Sequence, residues 1–129
     1  MREIKFRVWN GQEMLYVTYE AELQLNFGIN KGWSLWDSYE DICNHEKGNL
    51  LQFTGLKDKN GREIYEGDII NIIGRETSEQ AQVTFDDGSF CVMGYLGDLR
   101  TQPLRKFIFF GEKFEVIGNI YENSKLLET

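Results

Sequence analysis

The chain has 129 residues, of which 41% are hydrophobic and 14% aromatic, and its 21 acidic side chains outnumber its 14 basic ones. This core-forming content, with a single proline at Pro103, excludes collagen-like, low-complexity and disordered classes. A net charge of −7 also argues against nonspecific binding to nucleic acid or anionic lipid. We find no apolar run of membrane-spanning length and no signal-peptide pattern, and therefore expect a cytoplasmic protein that does not bind membranes.

The N-terminal segment predicts a β-hairpin. Apolar and charged side chains alternate over residues 3–9, which is the period of a half-buried strand. Asn10-Gly11 tolerates the positive φ of a tight turn, and residues 14–19 supply the returning strand. Weaker alternation over residues 20–32, broken at Gly28, predicts a third strand followed by a loop.

One helix is predicted inside residues 34–48. Ser34 can cap its first turn, where Asp37 also lies, and Gly48 stands where a left-handed C-terminal cap would fall. Apolar side chains recur between them at helical spacings, namely Leu35, Trp36, Tyr39, Ile42 and Cys43.

From residue 49 onward, β-type signals dominate. Turn sequences with glycine after Asn or Asp, Lys59-Asn60-Gly61 and Asp86-Asp87-Gly88, separate several short runs. The predicted strands are 50–54, 68–73, 80–85, 89–94, 106–110 and 113–117. Short strands at close spacing favour a small barrel or a curled sheet.

A long specific run, LLQFTGLKDKNGREIYEGDII at residues 50–70, resembles the signature of the YopX family of small phage and prophage proteins. Two further patches, REIKFRVWN at 2–10 and FEVIGNIYEN at 114–123, are similar to the same family and stand in the expected order. The resemblance implies one mainly β domain over 1–129. Its 1–49 region would hold the hairpin and helix, and its 50–129 region a small Src-homology-3-type barrel.

The resemblance implies no enzymatic activity and no catalytic residue. The motif itself has two interpretations, a structural double turn or an interaction site, and we favour the structural one because turn residues need no partner to explain them. Its candidate residues are Gly55, Asp58, Asn60, Gly61, Tyr65, Glu66, Gly67 and Asp68. In the interaction alternative, a polar patch around an aromatic centre would comprise Lys57, Lys59, Arg62, Tyr65, Glu66 and Asp68.

The sequence contains no complete cofactor-binding or metal-binding motif. Residues 55–63 lack the spacing of a phosphate loop, and the turn after Asp58 lacks the glycine and glutamate positions of a calcium loop. A zinc site would have to combine His45 with Cys43, Cys91 and a carboxylate such as Glu46, and Cys91 has no ligand at paired spacing. We expect no cofactor, metal or catalytic site, and two reduced cysteines in the core.

A basic and aromatic cluster near the C-terminus leaves a nucleic-acid alternative open. Small barrels bind single strands through aromatics flanked by cations, and the cluster comprises Arg100, Arg105, Lys106, Phe107, Phe109, Phe110 and Lys113. We favour the reading in which Phe107 and Phe109 face the core from one side of a strand, and do not expect nucleic-acid binding.

The sequence therefore predicts a non-catalytic protein in the cytoplasm of a bacterial host, acting as a protein-binding or assembly module. Its partner would be another protein or a second copy of the chain. The alternative is a small barrel that binds single-stranded nucleic acid.

Overall fold

The structure is a computed structural model that describes residues 3–18, 21–28, 32–74, 78–86, 88–93, 102–109 and 111–127. The chain divides into two compact units, Met1–Phe53 and Thr54–Thr129. The described residues are mainly β, with twelve strands and one short α-helix. Within them, no helix has the length and apolar character needed to span a membrane. The boundary between the units falls inside a strand, four residues beyond the division expected from the sequence.

The first unit contains five strands and the start of a sixth. The strands are β1 (Phe6–Trp9), β2 (Met14–Tyr16), β3 (Gln24–Gly28), β4 (Gly32–Trp36), β5 (Asp41–Asn44) and β6 (Asn49–Lys57). The predicted N-terminal hairpin is confirmed, since β1 pairs with β2 antiparallel. Asn10 N–H donates to the Glu13 carbonyl, so Gly11 and Gln12 form the turn, one residue later than the sequence suggested.

Residues 34–48 do not form the predicted helix. They belong to β4, a turn and β5, which lie in an antiparallel sheet of order β3-β4-β5. Asp37, expected in the first helical turn, instead accepts at Oδ1 from the N–H groups of Tyr39 and Glu40 and closes the β4–β5 turn. Aspartate side chains compete with helix formation through such local bonds, and this competition decides the outcome here.

The position of Gly48 has a steric cause and no helix-capping role. Its N–H donates to the Asn44 carbonyl at 3.0 Å, which closes the turn between β5 and β6. A Cβ atom at residue 48 would lie 2.4 Å from the Trp9 carbonyl oxygen and 2.6 Å from Cys43 Sγ. A glycine is needed because the turn packs directly on β1 and β5.

The second unit contains the end of β6 and six further strands: β7 (Glu63–Tyr65), β8 (Asp68–Ile73), β9 (Ser78–Asp86), β10 (Ser89–Met93), β11 (Gln102–Pro103) and β12 (Lys113–Asn119). β7 lies next to β6. The other five strands form an antiparallel sheet of order β11-β10-β9-β8-β12. The prediction for β8 is confirmed residue for residue, whereas β7 and β11 were not predicted. In the described pairings, β11 and β12 lie at the two edges of this sheet. The five strands therefore do not form a closed barrel through these pairings alone.

The predicted strand at 106–110 is wrong, because these residues fall largely in the helix α1 (Leu104–Phe109). Pro103 precedes the helix, and proline suits the entry to a first helical turn. Leu104 and Phe107 are buried three residues apart, on one helical face, while Phe109 is 84% exposed. The alternation of phenylalanines imitates a strand, although Phe107 faces the core and Phe109 does not.

Each unit has its own apolar core. In the first unit, buried Val8, Leu35 and Cys43 are surrounded by partly buried side chains of β2 to β6. In the second unit, the buried cluster combines one face of the five-stranded sheet with α1 and β7, and it comprises Ile64, Ile70, Ile72, Ala81, Val83, Val92, Leu104, Phe107, Phe114 and Val116. Both free cysteines, Cys43 and Cys91, are buried, as expected of small core residues.

Candidate functional site

The centre of the 55–68 motif is the carboxylate of Asp58, which is only 7% exposed. Its Oδ1 accepts from the backbone N–H groups of Asn60 and Arg62, at 2.9 and 2.8 Å. Its Oδ2 accepts from the N–H of Val116 on β12 at 2.9 Å. Burial by itself would raise the pKa of Asp58, but these three donors and the Arg62 guanidinium lower it overall. One side chain therefore shapes the turn and ties it to β12.

Two other residues of this turn also bond to β12. Lys59 donates its N–H to the Phe114 carbonyl, and its Nζ pairs with Glu115 Oε2 at 2.9 Å. Arg62 donates from its guanidinium to the Val116 carbonyl at 3.3 Å. The turn at 58–62 is thus fixed to β12 by backbone and side-chain bonds on successive residues.

The second half of the motif is also internal. Asp68 is 2% exposed and accepts at Oδ2 from the Tyr65 N–H at 2.8 Å, and Tyr65 is 4% exposed. Gly67 has a φ of +85°, donates its N–H to the Val83 carbonyl and accepts at its own carbonyl from the Ile120 N–H. Glycine is favoured there because positive φ strains other residues.

Of the remaining motif positions, Gly55 lies in β6, and Asn60, Gly61 and Glu66 lie in turns. Gly55 and Gly61 have φ values of +88° and +84°, and a Cβ atom at either would meet nothing within 4 Å. Asn60 is exposed and Glu66 is half-buried. Gly55 and Gly61 are therefore explained by backbone conformation and not by close packing.

The alternative interaction patch is not assembled as the sequence suggested. Its proposed aromatic centre, Tyr65, and its acidic member, Asp68, are buried, while Lys57 and Lys59 are exposed. The geometry of the motif supports a structural role in the second unit.

The basic and aromatic cluster is likewise divided. Arg105 and Lys106 are exposed on α1, and Lys106 Nζ donates to Gln102 Oε1 at 2.7 Å. Phe107 is buried and Phe109 is exposed, so the two rings do not share a side. Arg100 and Phe110 lie outside the described residues.

The proposed metal ligands do not converge. His45 lies in the turn that follows β5 and not on the predicted helix. Its side chain is exposed, and its Nε2 atom is 4.0 Å from Glu46 Oε1. Cys43 is buried, and this burial raises the pKa of its thiol. Among the described residues, no group of three or more His, Cys, Asp or Glu side chains could hold a metal ion.

An open groove of ≈350 Å³ lies on the β3-β4-β5 sheet of the first unit. Asn26 pairs with Ser34, and Ser34 pairs with Asn44, so three polar side chains lie in a row across the strands. Two residues further along, Gly28 pairs with Gly32 and leaves the same face without side chains.

The walls of the groove come from β5 and the turn after it. Asp41, His45 and Glu46 line it, together with Phe27 of β3 and Trp33 of β4. A Cβ atom at Gly32 would lie 2.7 Å from the Cγ and Nδ1 atoms of His45, so this glycine admits the imidazole ring. Sequence analysis missed the groove because it placed Ser34 and Asp41 on a helix. The paired glycines that flank residues 29–31 were the available signal.

Large apolar side chains are exposed next to this sheet. Phe27 is 66% exposed, Trp36 38% and Tyr39 92%. Aromatic residues are enriched at the centres of protein interfaces, because they bury a large area at a small cost in side-chain entropy.

A fold of three small antiparallel sheets, stabilised by the 58–62 turn and the 65–68 turn, defines the class of protein to which the chain belongs. The family model described as YopX protein matches residues 5–128, and the chain belongs to the YopX family. The SPbeta prophage-derived uncharacterized protein YopX of Bacillus subtilis (strain 168) is 30% identical over 130 residues, covering 95% of each chain.

Solved structures of two similar proteins agree. The crystal structure of YopX from Bacillus subtilis has a TM-score of 0.75 at 29% identity and covers 96% of this chain and 98% of its own. Protein EF1440 from Enterococcus faecalis has a TM-score of 0.62 at 26% identity and covers 99% and 100%. The resemblance found in the sequence is confirmed over nearly the whole chain.

Proposed function

We propose that this prophage-type protein is a non-catalytic protein-binding or assembly module in the cytoplasm of a bacterial host. The single observation that carries the proposal is the exposure of Phe27, Trp36 and Tyr39 on and beside one small sheet, next to an open groove. Large aromatic side chains exposed in this way are enriched at interaction surfaces. Self-association through this sheet is one form of the same function.

The architecture proposed for the second unit is a Src-homology-3-type barrel, built from its five-stranded sheet. Such a barrel would be a scaffold for the motif residues Gly55, Asp58, Asn60, Gly61, Tyr65, Glu66, Gly67 and Asp68, and would leave partner binding to the first unit. No cofactor, metal or catalytic step is part of this proposal.

The test is capture of a partner by the immobilised full chain from nuclease-treated extract of an induced lysogen. We expect a discrete protein to be retained by the parent chain and lost with the double variant Phe27→Ala/Tyr39→Ala. The matched control, Ile108→Ala/Phe109→Ala, removes exposed apolar side chains from the second unit and should retain it. The proposal would be refuted if both variants lose the captured protein equally. It would also be refuted if the parent chain captures no discrete protein.

A second candidate function is single-stranded nucleic-acid binding through α1. The observation that favours it is the exposure of Phe109 beside exposed Arg105 and Lys106, since a base can stack on a ring flanked by cations. Submicromolar binding of an oligonucleotide, with a salt slope flattened by Arg105→Ala and Lys106→Ala, would establish this alternative.

A further inference from the structure

We propose that the groove on the β3-β4-β5 sheet receives a cationic side chain, arginine or lysine, from a partner protein. This inference rests on the proposed protein-binding function and names the chemistry of its partner. Three properties of the groove support it: the charge of its described lining, its hydrogen-bond acceptors and its shape.

The described residues that line the groove carry negative charge. Asp41 and Glu46 line it, and no lysine or arginine is among its described lining residues. Opposite charge attracts a guanidinium or ammonium group, and the same two carboxylates repel a phosphate backbone. The charge therefore favours a basic protein segment over a nucleic acid.

Local hydrogen bonds position the Asp41 carboxylate and the Asn44 side-chain amide. Asn44 Nδ2 donates to Asp41 Oδ2 at 3.3 Å, and Asn44 Oδ1 accepts from the Glu46 N–H at 3.0 Å. The ion pair of Glu46 with His45 is long, at 4.0 Å, and the Glu46 side chain is 78% exposed. Glu46 therefore remains accessible to an incoming donor. A guanidinium carries five N–H donors and suits a site with several acceptors.

The shape of the groove completes the site. The pair Gly28 and Gly32 leaves room beside the polar row, and the His45 ring closes one wall. Phe27 and Trp33 also line the groove. The aliphatic stem of an arginine or lysine fits along such a space while its charged head reaches the acceptors.

The test is a titration of the ¹⁵N-labelled full chain with acetyl-Gly-Arg-Gly-amide, followed by amide and indole chemical shifts. Citrulline has the shape of arginine without its charge, so the same peptide with citrulline is the matched probe. We expect shifts at Asn26, Trp33, Ser34 and Asn44, and about tenfold weaker binding of the citrulline peptide.

Variants locate the recognition. Asp41→Asn/Glu46→Gln should abolish the arginine shifts, whereas Glu40→Gln, an exposed residue of the β4–β5 turn outside the groove, should preserve them. A dispersed spectrum and an unchanged unfolding midpoint establish that each variant is folded. Equal binding of the two peptides, absent shifts, or the same effect from Glu40→Gln would overturn the inference.

The outcomes are separable from those of the proposed function. If the arginine peptide does not bind but Phe27 and Tyr39 are still required for partner capture, the inference fails and the proposed function stands. If the peptide binds the groove but no protein is captured, the groove binds a cationic group, and both the proposed function and the partner protein are rejected.

Discussion

The carboxylate of Asp58 and the backbone of Val116, 58 residues apart in the chain, are joined by a hydrogen bond of 2.9 Å from the Val116 N–H to Asp58 Oδ2. The same carboxylate accepts from Asn60 and Arg62 through Oδ1. The central and C-terminal segments that resemble the YopX family are therefore held together by one buried side chain. This connection is the physical basis for assigning the motif to structure.

Asp58→Ala should lower the free energy of unfolding by about 3 kcal/mol, because three backbone N–H groups lose their acceptor and one of them is buried. Asp58→Asn should lower the free energy of unfolding by about 2 kcal/mol. Its amide oxygen can still accept from the Asn60 and Arg62 N–H groups, but its amide nitrogen then faces the Val116 N–H. Urea unfolding followed by circular dichroism measures both. Lys57→Ala, at an exposed neighbouring position, should change the value by no more than ~0.5 kcal/mol.

Stability should fall in acid through the same group. The folded-state pKa of Asp58 is lowered, because the hydrogen bonds it accepts outweigh the effect of burial. Its contribution is fully present above the unfolded pKa of about 3.9 and is lost as the pH falls through the folded value. Urea midpoints between pH 7 and pH 2 should decline more steeply for the parent than for Asp58→Asn. Parallel profiles for the two chains would contradict the assignment.

Gly48→Ala should destabilise the first unit by about 2 kcal/mol or more, since the added Cβ would overlap the Trp9 carbonyl oxygen and Cys43 Sγ. Thermal unfolding compares it with Lys47→Ala, an exposed residue of the same turn. A helix cap would predict a much smaller loss, so near-equal melting temperatures would contradict the observed packing.

Tyr65→Ala should cost roughly 3 kcal/mol or more, because it removes a ring that is 4% exposed. Tyr65→Phe keeps the ring and should cost about 1 kcal/mol, which separates packing from the hydroxyl's interactions. Urea unfolding of both variants is the measurement. A neutral Tyr65→Ala would remove the structural explanation for this residue.

A strand or helix was predicted correctly where its local sequence signals agree with its tertiary contacts. β8 was predicted at its observed bounds, since four isoleucines lie close together between Gly67 and Gly74. Residues 34–48 were mispredicted because Ser34, Asp37 and apolar 3–4 spacing imitate a capped helix, while cross-strand pairing of Leu35 with Cys43 decides the structure.

The candidate sites divide in the same way. The turn glycine Gly61 could be identified from Asn60-Gly61, because positive φ is a local requirement. The acceptor role of Asp58 toward Val116 could not, because that contact is distant in sequence. The groove could not be predicted either, since its row of Asn26, Ser34 and Asn44 exists only once the strand register is known.

Site-specific photocrosslinking tests most directly the claim that the motif is structural and that partners bind the first unit. One full-length chain carries the photoreactive residue at Tyr39, which is 92% exposed, and a second carries it at exposed Lys57 beside the motif. In nuclease-treated extract of an induced lysogen, we expect one discrete protein adduct from position 39, competed by excess parent chain, and none from position 57. A competed adduct from position 57 and none from position 39 would contradict the account.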